Sequence, residues 1–222
     1  RVGEERIIAL GDEIGNTAIS DVFDAVLDHA DARFRQIIAA LPDGCYEGDE
    51  HTDNDCFSDG RFNIHVTLTI KGDKLTVDYT GTDPQMRGFK NSPIANTHSL
   101  TYVGLASFLG GDIPINEGTF RSAQLILPRG TLVNPNPPAP QTMSTMYMGH
   151  EIVHAIWKAL AKADPARACA GWGKTVHGIS TGHNEAGEPY VLYHWNCVSA
   201  AGAVAERDGF HQIGLIGALG GL

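Results

Sequence analysis

Positive charge is in short supply in this sequence. Lysine and arginine number 16 against 26 aspartates and glutamates, a formal charge of −10, and no stretch gathers enough of them to follow a phosphate backbone. Nucleic acid and anionic membrane surfaces are therefore poor partners. Long apolar runs are missing too: none approaches the roughly 20 residues of a membrane-spanning helix. The opening Arg1-Val2-Gly3-Glu4-Glu5-Arg6 lacks the hydrophobic segment of a secretory signal. A cytoplasmic protein without a membrane partner is expected. Cys45, Cys56, Cys169 and Cys197 lie far apart with no CxxC pair, which excludes a small disulfide scaffold and predicts reduced, structural thiols. No GxxxxGK[ST] occurs and no GxGxxG follows a strand, so the glycines of Gly171-Trp172-Gly173 and of 217–221 predict no nucleotide cradle in this chain.

What is present suits a folded globular protein. Over 222 residues, 42% are hydrophobic and 19% charged, enough to bury one large core or two small ones. Apolar residues recur at helical spacing over 4–14 and again over 17–41, with Gly11, Gly15 and Asn16 as punctuation and Pro42-Asp43-Gly44 as a stop. The period then changes: Phe62, Ile64, Val66, Leu68 and Ile70 alternate with polar neighbours, Gly72-Asp73 turns, and Leu75, Val77 and Tyr79 continue. That predicts a β-hairpin. A helix should open at Asn91–Pro93 and run past Phe108 to Gly110-Gly111, followed by short strands at 123–127 and 131–133. Asn134-Pro135-Asn136-Pro137-Pro138-Ala139-Pro140 reads as a stiff connector, because proline lacks the backbone donor and restrains its neighbours. A helix is expected over 144–163 and strands near 175–180 and 190–195. The fold class is α+β, with helices first and antiparallel hairpins afterwards. The segments are 1–134 and 135–222, either two units or one continuous domain. The start at Arg1 and the stop in Ala218-Leu219-Gly220-Gly221-Leu222 read as a piece of a longer polypeptide.

His150-Glu151-Ile152-Val153-His154 matches HExxH within an expected helix. Residues four apart share a helix face, so His150 and His154 could reach one zinc ion while Glu151 activates its water. The extended form with a further Gly and His is excluded, because Ala159-Leu160-Ala161 stands there. Glu185 and Glu188, flanked by Gly182 and Gly187, sit in no expected helix that could supply the third ligand. The alternative is two rings that pack or hydrogen-bond on an interface helix. Asn91, Asn96 and His98 surround a helix start that can receive an anion or a carbonyl oxygen, or they are ordinary capping groups. The run Asp49, Glu50, His51, Asp53, Asp55, Asp59 lacks the order of an EF-hand loop and reads as a solvated acidic loop. His177, His183, His194 and His211 are scattered, and a lone histidine is more often structural.

The phrases DYTGTDP at 78–84, Asn91-Ser92-Pro93, Ile113-Pro114-Ile115-Asn116-Glu117-Gly118 and PRGTLVNPNPP at 128–138 resemble the hydantoinase B/oxoprolinase family, and the similarity spans essentially the whole chain. The resemblance implies a subunit that works with a hydantoinase A-like subunit or domain in a hetero-oligomer, acting on a small carbonyl substrate, with ATP and Mg at the partner. Branches of the family open hydantoins and 5-oxoproline, and related assemblies carboxylate acetone or acetophenone. Phosphorylating a carbonyl oxygen activates the substrate in both. The family's metal-binding His and Asp motifs lie upstream of the matched region, so a divalent metal, Zn or Mn, is expected outside this segment. The helix at 144–163 followed by Ala170-Gly171-Trp172-Gly173 resembles carboxylase-like members. Ring-opening hydrolysis of cyclic amides is the leading expectation, with the isolated chain inactive. Ketone carboxylation, a zinc hydrolase built on His150 and His154, and a non-catalytic assembly segment are the alternatives. The substrate-binding candidates are Asn91, His98 and His150.

Overall fold

Two helices open the chain, α1 (Val2–Ile14) and α2 (Asn16–Ala39). They are separated where the sequence punctuates them: Gly15 takes φ +92°, a left-handed conformation that only glycine adopts without strain. In this computed structural model, residues 1–110, 113–142, 144–171, 178–194 and 198–214 are described. Of α1 only Gly11 is buried, whereas α2 turns Ile19, Ala30, Phe34 and Ile38 inward. Other large apolar residues of both helices, among them Ile7, Ile8, Val22, Phe23 and Val26, stay exposed.

A four-stranded sheet of order β1-β2-β3-β4 follows. Strands β1 (Gly44–Asn54) and β2 (Asp59–Lys71) are antiparallel, as are β2 and β3 (Lys74–Asp78). The expected hairpin is there, with Ile70 opposite Leu75 and Leu68 opposite Val77. Gly72 at φ +58° makes its turn. Ile64, Val66, Leu68, Ile70, Leu75 and Val77 all face the core, as the period of 2 requires. Strand β4 (Ala123–Ile126) instead joins β3 in parallel. A parallel neighbour needs a long crossover, and α3 (Ile94–Leu109) lies in it.

Three expectations need correction. Residues 49–54 are not a solvated loop but most of β1. The helix expected over 144–163 is two helices, α4 (Ser144–Tyr147) and α5 (Gly149–Ala163). The strand expected at 131–133 forms only isolated bridges, Thr131 with Pro84 and with Asn134. The proline-rich connector is ordered by bonds to the preceding loop, including Asn136 N–H donating to Gln85 Oε1 at 2.7 Å. A 3₁₀ turn (Pro165–Arg167) follows α5. The pairs β5 (Gly178–His183) with β6 (Pro189–His194), and β7 (Val198–Ala201) with β8 (Phe210–Gly214), form separate two-stranded sheets. Residues 175–177 and Trp195, expected to be strand, lie outside the described residues.

The core brings these pieces together. Phe34 and Ile38 of α2, the inward residues of β2 and β3, Leu105 and Phe108 of α3, and Met148, Ile152, Ile156 and Leu160 form one cluster. Helix α5 lies between sheet and α3: Trp157 donates to the Gly104 carbonyl at 3.0 Å, and Gly104 leaves room for Ile156.

Candidate functional site

The site begins with how closely α5 sits on β1. A Cβ on Gly48 would lie 2.0 Å from the Ala155 carbonyl oxygen, so the missing side chain lets helix backbone rest on strand backbone. Side chains alternate along a strand, and Glu50 and Thr52 therefore follow Gly48 on the face turned to α5; beyond a register irregularity at Thr52/Asn54, Asn54 lines the same cavity as Thr52. Their neighbours are polar. Glu50 Oε2 lies 3.1 Å from Lys158 Nζ and 3.7 Å from His154 Nδ1. The Lys158 contact is the firm one, since 3.7 Å exceeds hydrogen-bond length. Burial disfavours the charge on Glu50, but contacts with His154, the His51 N–H and Lys158 outweigh it and hold the carboxyl well below the usual range. Lys158 also donates to the Asp49 carbonyl at 2.9 Å. Cys169, Ala170 and Gly171 close this end of the seam around a cavity of about 70 Å³.

At the other end is Lys90, only 8% exposed. Its ammonium donates to Asn54 Oδ1 at 3.0 Å, the Asn54 carbonyl at 3.1 Å and Thr52 Oγ1 at 3.4 Å. It also stands 5.6 Å from the centre of the Tyr147 ring, within cation–π range. These groups line a cavity of about 160 Å³ together with Asp53, Met146, His150 and Glu151. His150 and Glu151 are buried side chains of the first turn of α5.

The three expected substrate-binding residues are not brought together. Asn91 is fully buried. Its Oδ1 accepts from Met86 N–H, and its Nδ2 donates to the carbonyls of Met86, Gly88 and Pro140 at 3.0 Å each. Asn91 thus braces two loops. Asn96 likewise ties Ser92 and Ser144. His98 is half-buried on α3, 3.3 Å from the Tyr102 hydroxyl. Tyr102 stacks on Phe120 at 4.2 Å and lines an open, mainly apolar groove of about 1090 Å³ with Leu27, Val103, Ala106 and Ile115. That groove is the larger hollow, but the titratable chemistry converges on the seam. Of the three, only His150 is there.

His150 and His154 do share a face of α5, their rings 6.5 Å apart. Among the described residues, however, no three His, Cys, Asp or Glu side chains gather closely enough to hold a metal ion. Glu185 and Glu188 sit in and beside the β5–β6 turn, where Glu188 pairs with Asn184. Cys45, Cys56 and Cys169 are free thiols. Sequence reasoning passed over Lys90, Lys158 and Tyr147. The one signal for Lys90 was its place immediately before Asn91-Ser92-Pro93.

The sequence model of the hydantoinase B/oxoprolinase family matches residues 1–218. The β subunit of caprolactamase from Pseudomonas jessenii is 31% identical over 225 residues, covering 100% of this chain and 39% of that subunit. The crystal structure of that ATP-dependent caprolactamase superposes with a TM-score of 0.81, covering 94% of this chain and 37% of the other. The B component of a putative D-/L-hydantoinase from Pseudomonas sp. (strain NS671) is 30% identical, with 96% of this chain and 37% of the relative aligned. The acetophenone carboxylase delta subunit of Aromatoleum aromaticum is 29% identical over 71% of this chain and 23% of its own length. The chain thus spans less than two fifths of each of these relatives.

Proposed function

The chain belongs to the hydantoinase B/oxoprolinase family, and from that premise we propose that it forms part of a subunit of an ATP-dependent enzyme that opens cyclic amides by hydrolysis. The observation that carries the reading is the match to caprolactamase, along the full chain in sequence and over 94% of it in fold. An amide carbonyl is a poor electrophile, and transfer of a phosphoryl group to its oxygen makes the carbon reactive towards water. Nucleotide and Mg would be bound by a hydantoinase A-like partner in a cytoplasmic hetero-oligomer, and the divalent metal by a segment outside this one. The part of this chain is to shape the substrate cavity. The seam between β1 and α5 offers the buried cation Lys90 and the buried ring of His150, groups suited to holding a carbonyl or carboxylate oxygen away from bulk water, with the exposed Lys158 at its other end.

The test is a chimera in which this chain replaces the matching 225-residue span of the caprolactamase β subunit. Assembled with the caprolactamase partner and ATP, it should open a cyclic amide and release ADP, while the isolated 222-residue chain should do neither. A chimera that assembles yet opens none of caprolactam, hydantoin or 5-oxoproline would contradict the reading. The similarity to the acetophenone carboxylase delta subunit favours a second reading, ATP-dependent ketone carboxylation. That reading predicts incorporation of labelled bicarbonate into a ketone by the same chimera.

A further inference from the structure

The apolar stripe of α2 is buried at both ends and bare in the middle. Ile19, Val22, Phe23, Val26, Ala30 and Phe34 recur at the spacing of a single helix face. Ile19 is covered where Gly11 brings α1 against it, and Ala30 and Phe34 are fully buried. Between them Val22, Phe23 and Val26 stay about half exposed. On α1, Ile7, Leu10 and Ile14 share the face of Gly11 and are exposed as well. The polar side of α2 lies elsewhere on the helix, with Asp21 and Asp24 in solvent. Where the bare stretch ends, Leu27 lines the apolar groove of about 1090 Å³, whose walls include the exposed Val103 and Ile115.

A single exposed apolar side chain is ordinary, but a contiguous patch beyond on the order of a few hundred Å² marks an interaction surface, and this one runs over two helices into a groove. Helix α1 has the same need for cover. It is 13 residues long and buries only Gly11, and helices of about that length are marginal in water without packing on an apolar face.

We propose that this face is an interface within the subunit, covered by an apolar element from the part of the hydantoinase B-type polypeptide that lies outside the span this chain matches. Length and continuity choose that occupant. The chain aligns with 39% of the caprolactamase β subunit, so the larger part of that polypeptide lies outside the match, enough to cover two helices. The bare stretch is also flanked on its own stripe by the buried Ile19 and Ala30, so whatever covers it extends the core that already holds Phe34 and Ile38. The inference rests on reading the chain as part of a longer subunit of this family, and not on which reaction that subunit serves.

The experiment compares the 222-residue chain with the assembled caprolactamase chimera by hydroxyl-radical labelling of phenylalanine rings. Phe23, 55% exposed, should be labelled in the isolated chain, while the fully buried Phe34 stays silent in both. In the chimera, labelling of Phe23 should fall about fivefold or more, as a half-exposed ring becomes fully buried. A photoreactive benzoylphenylalanine placed at position 23 of the chimera then identifies the cover: it should cross-link within its own β subunit, to residues outside the aligned span. Cross-links to the partner subunit or to a second β subunit would overturn the inference, as would equal labelling of Phe23 in both proteins. Sedimentation of the 222-residue chain gives an independent reading. A monomer is expected, and a dimer that Phe23→Ser dissociates would assign the face to a second copy and overturn the inference. None of these readouts needs turnover, so a chimera that covers Phe23 yet opens no ring would contradict the ring-opening reading alone.

Discussion

Glu50 carries a charge at a position where a strand normally presents an apolar residue, and its environment explains why. Its folded-state pKa lies below the ordinary value of 4.5, so the folded chain binds fewer protons there than the unfolded chain. The stability this contributes is complete above about pH 4.5 and is lost as the pH falls below it. Glu50→Gln should therefore cost about 2 kcal/mol at pH 7, and the gap from wild type should close towards pH 3. Urea denaturation at both pH values measures it. A gap that does not change with pH would show that His51, His154 and Lys158 do not stabilise the charged form. Asn91→Ala should act differently, leaving four backbone groups of Met86, Gly88 and Pro140 without partners. At about 1 kcal/mol or more each, the loss is about 4 kcal/mol, a fall in Tm of roughly 10 °C at this chain length. Sequence reasoning singled out Asn91 by its place at a helix start and His150 by the HExxH spacing but could not tell a brace from a lining group. That difference depends on which loop crosses above each residue, and Pro140 is far from Asn91 in sequence.

The elements were legible where burial imposes a period. Strands β2 and β3 show alternation because one face packs on the core, and α2 shows helical spacing for the same reason. Strand β1 showed neither. Its inward positions Gly48, Glu50 and Thr52 face a polar seam, and its outward positions Glu47, Asp49 and Asp53 are exposed. Charge along this sheet edge also discourages pairing with another strand. The parallel docking of β4 was equally invisible, since a local pattern does not encode which strand a distant segment will join. The seam itself depends on Gly48. Gly48→Ala would drive a methyl into the Ala155 carbonyl and push α5 off the sheet. A loss of about 3 kcal/mol is expected, together with weaker protection of the α5 amides in hydrogen exchange. Unchanged protection would mean that α5 is not held by this contact.

At the scale of the molecule, one core draws on residues from α2 to α5, and no helix among the described residues is long and apolar enough to cross a membrane. The family could be read from short phrases because those phrases form the loops that the fold ties together: Asp83 N–H donates to Asn63, Gln85 to Gly130, and Ser92 to Leu132. Substrate could not be read in the same way, since the relatives are named for different reactions. The central claim is that this chain serves ATP-driven opening of a cyclic amide. Its most direct measurement is the ratio of ADP released to ring-opened product formed by the caprolactamase chimera over a panel of lactams and hydantoins. The account predicts ADP release that requires a cyclic amide and rises in proportion to amino-acid product, without labelled bicarbonate entering any product. ADP release that instead requires a ketone and bicarbonate, with every ring left intact, would contradict it.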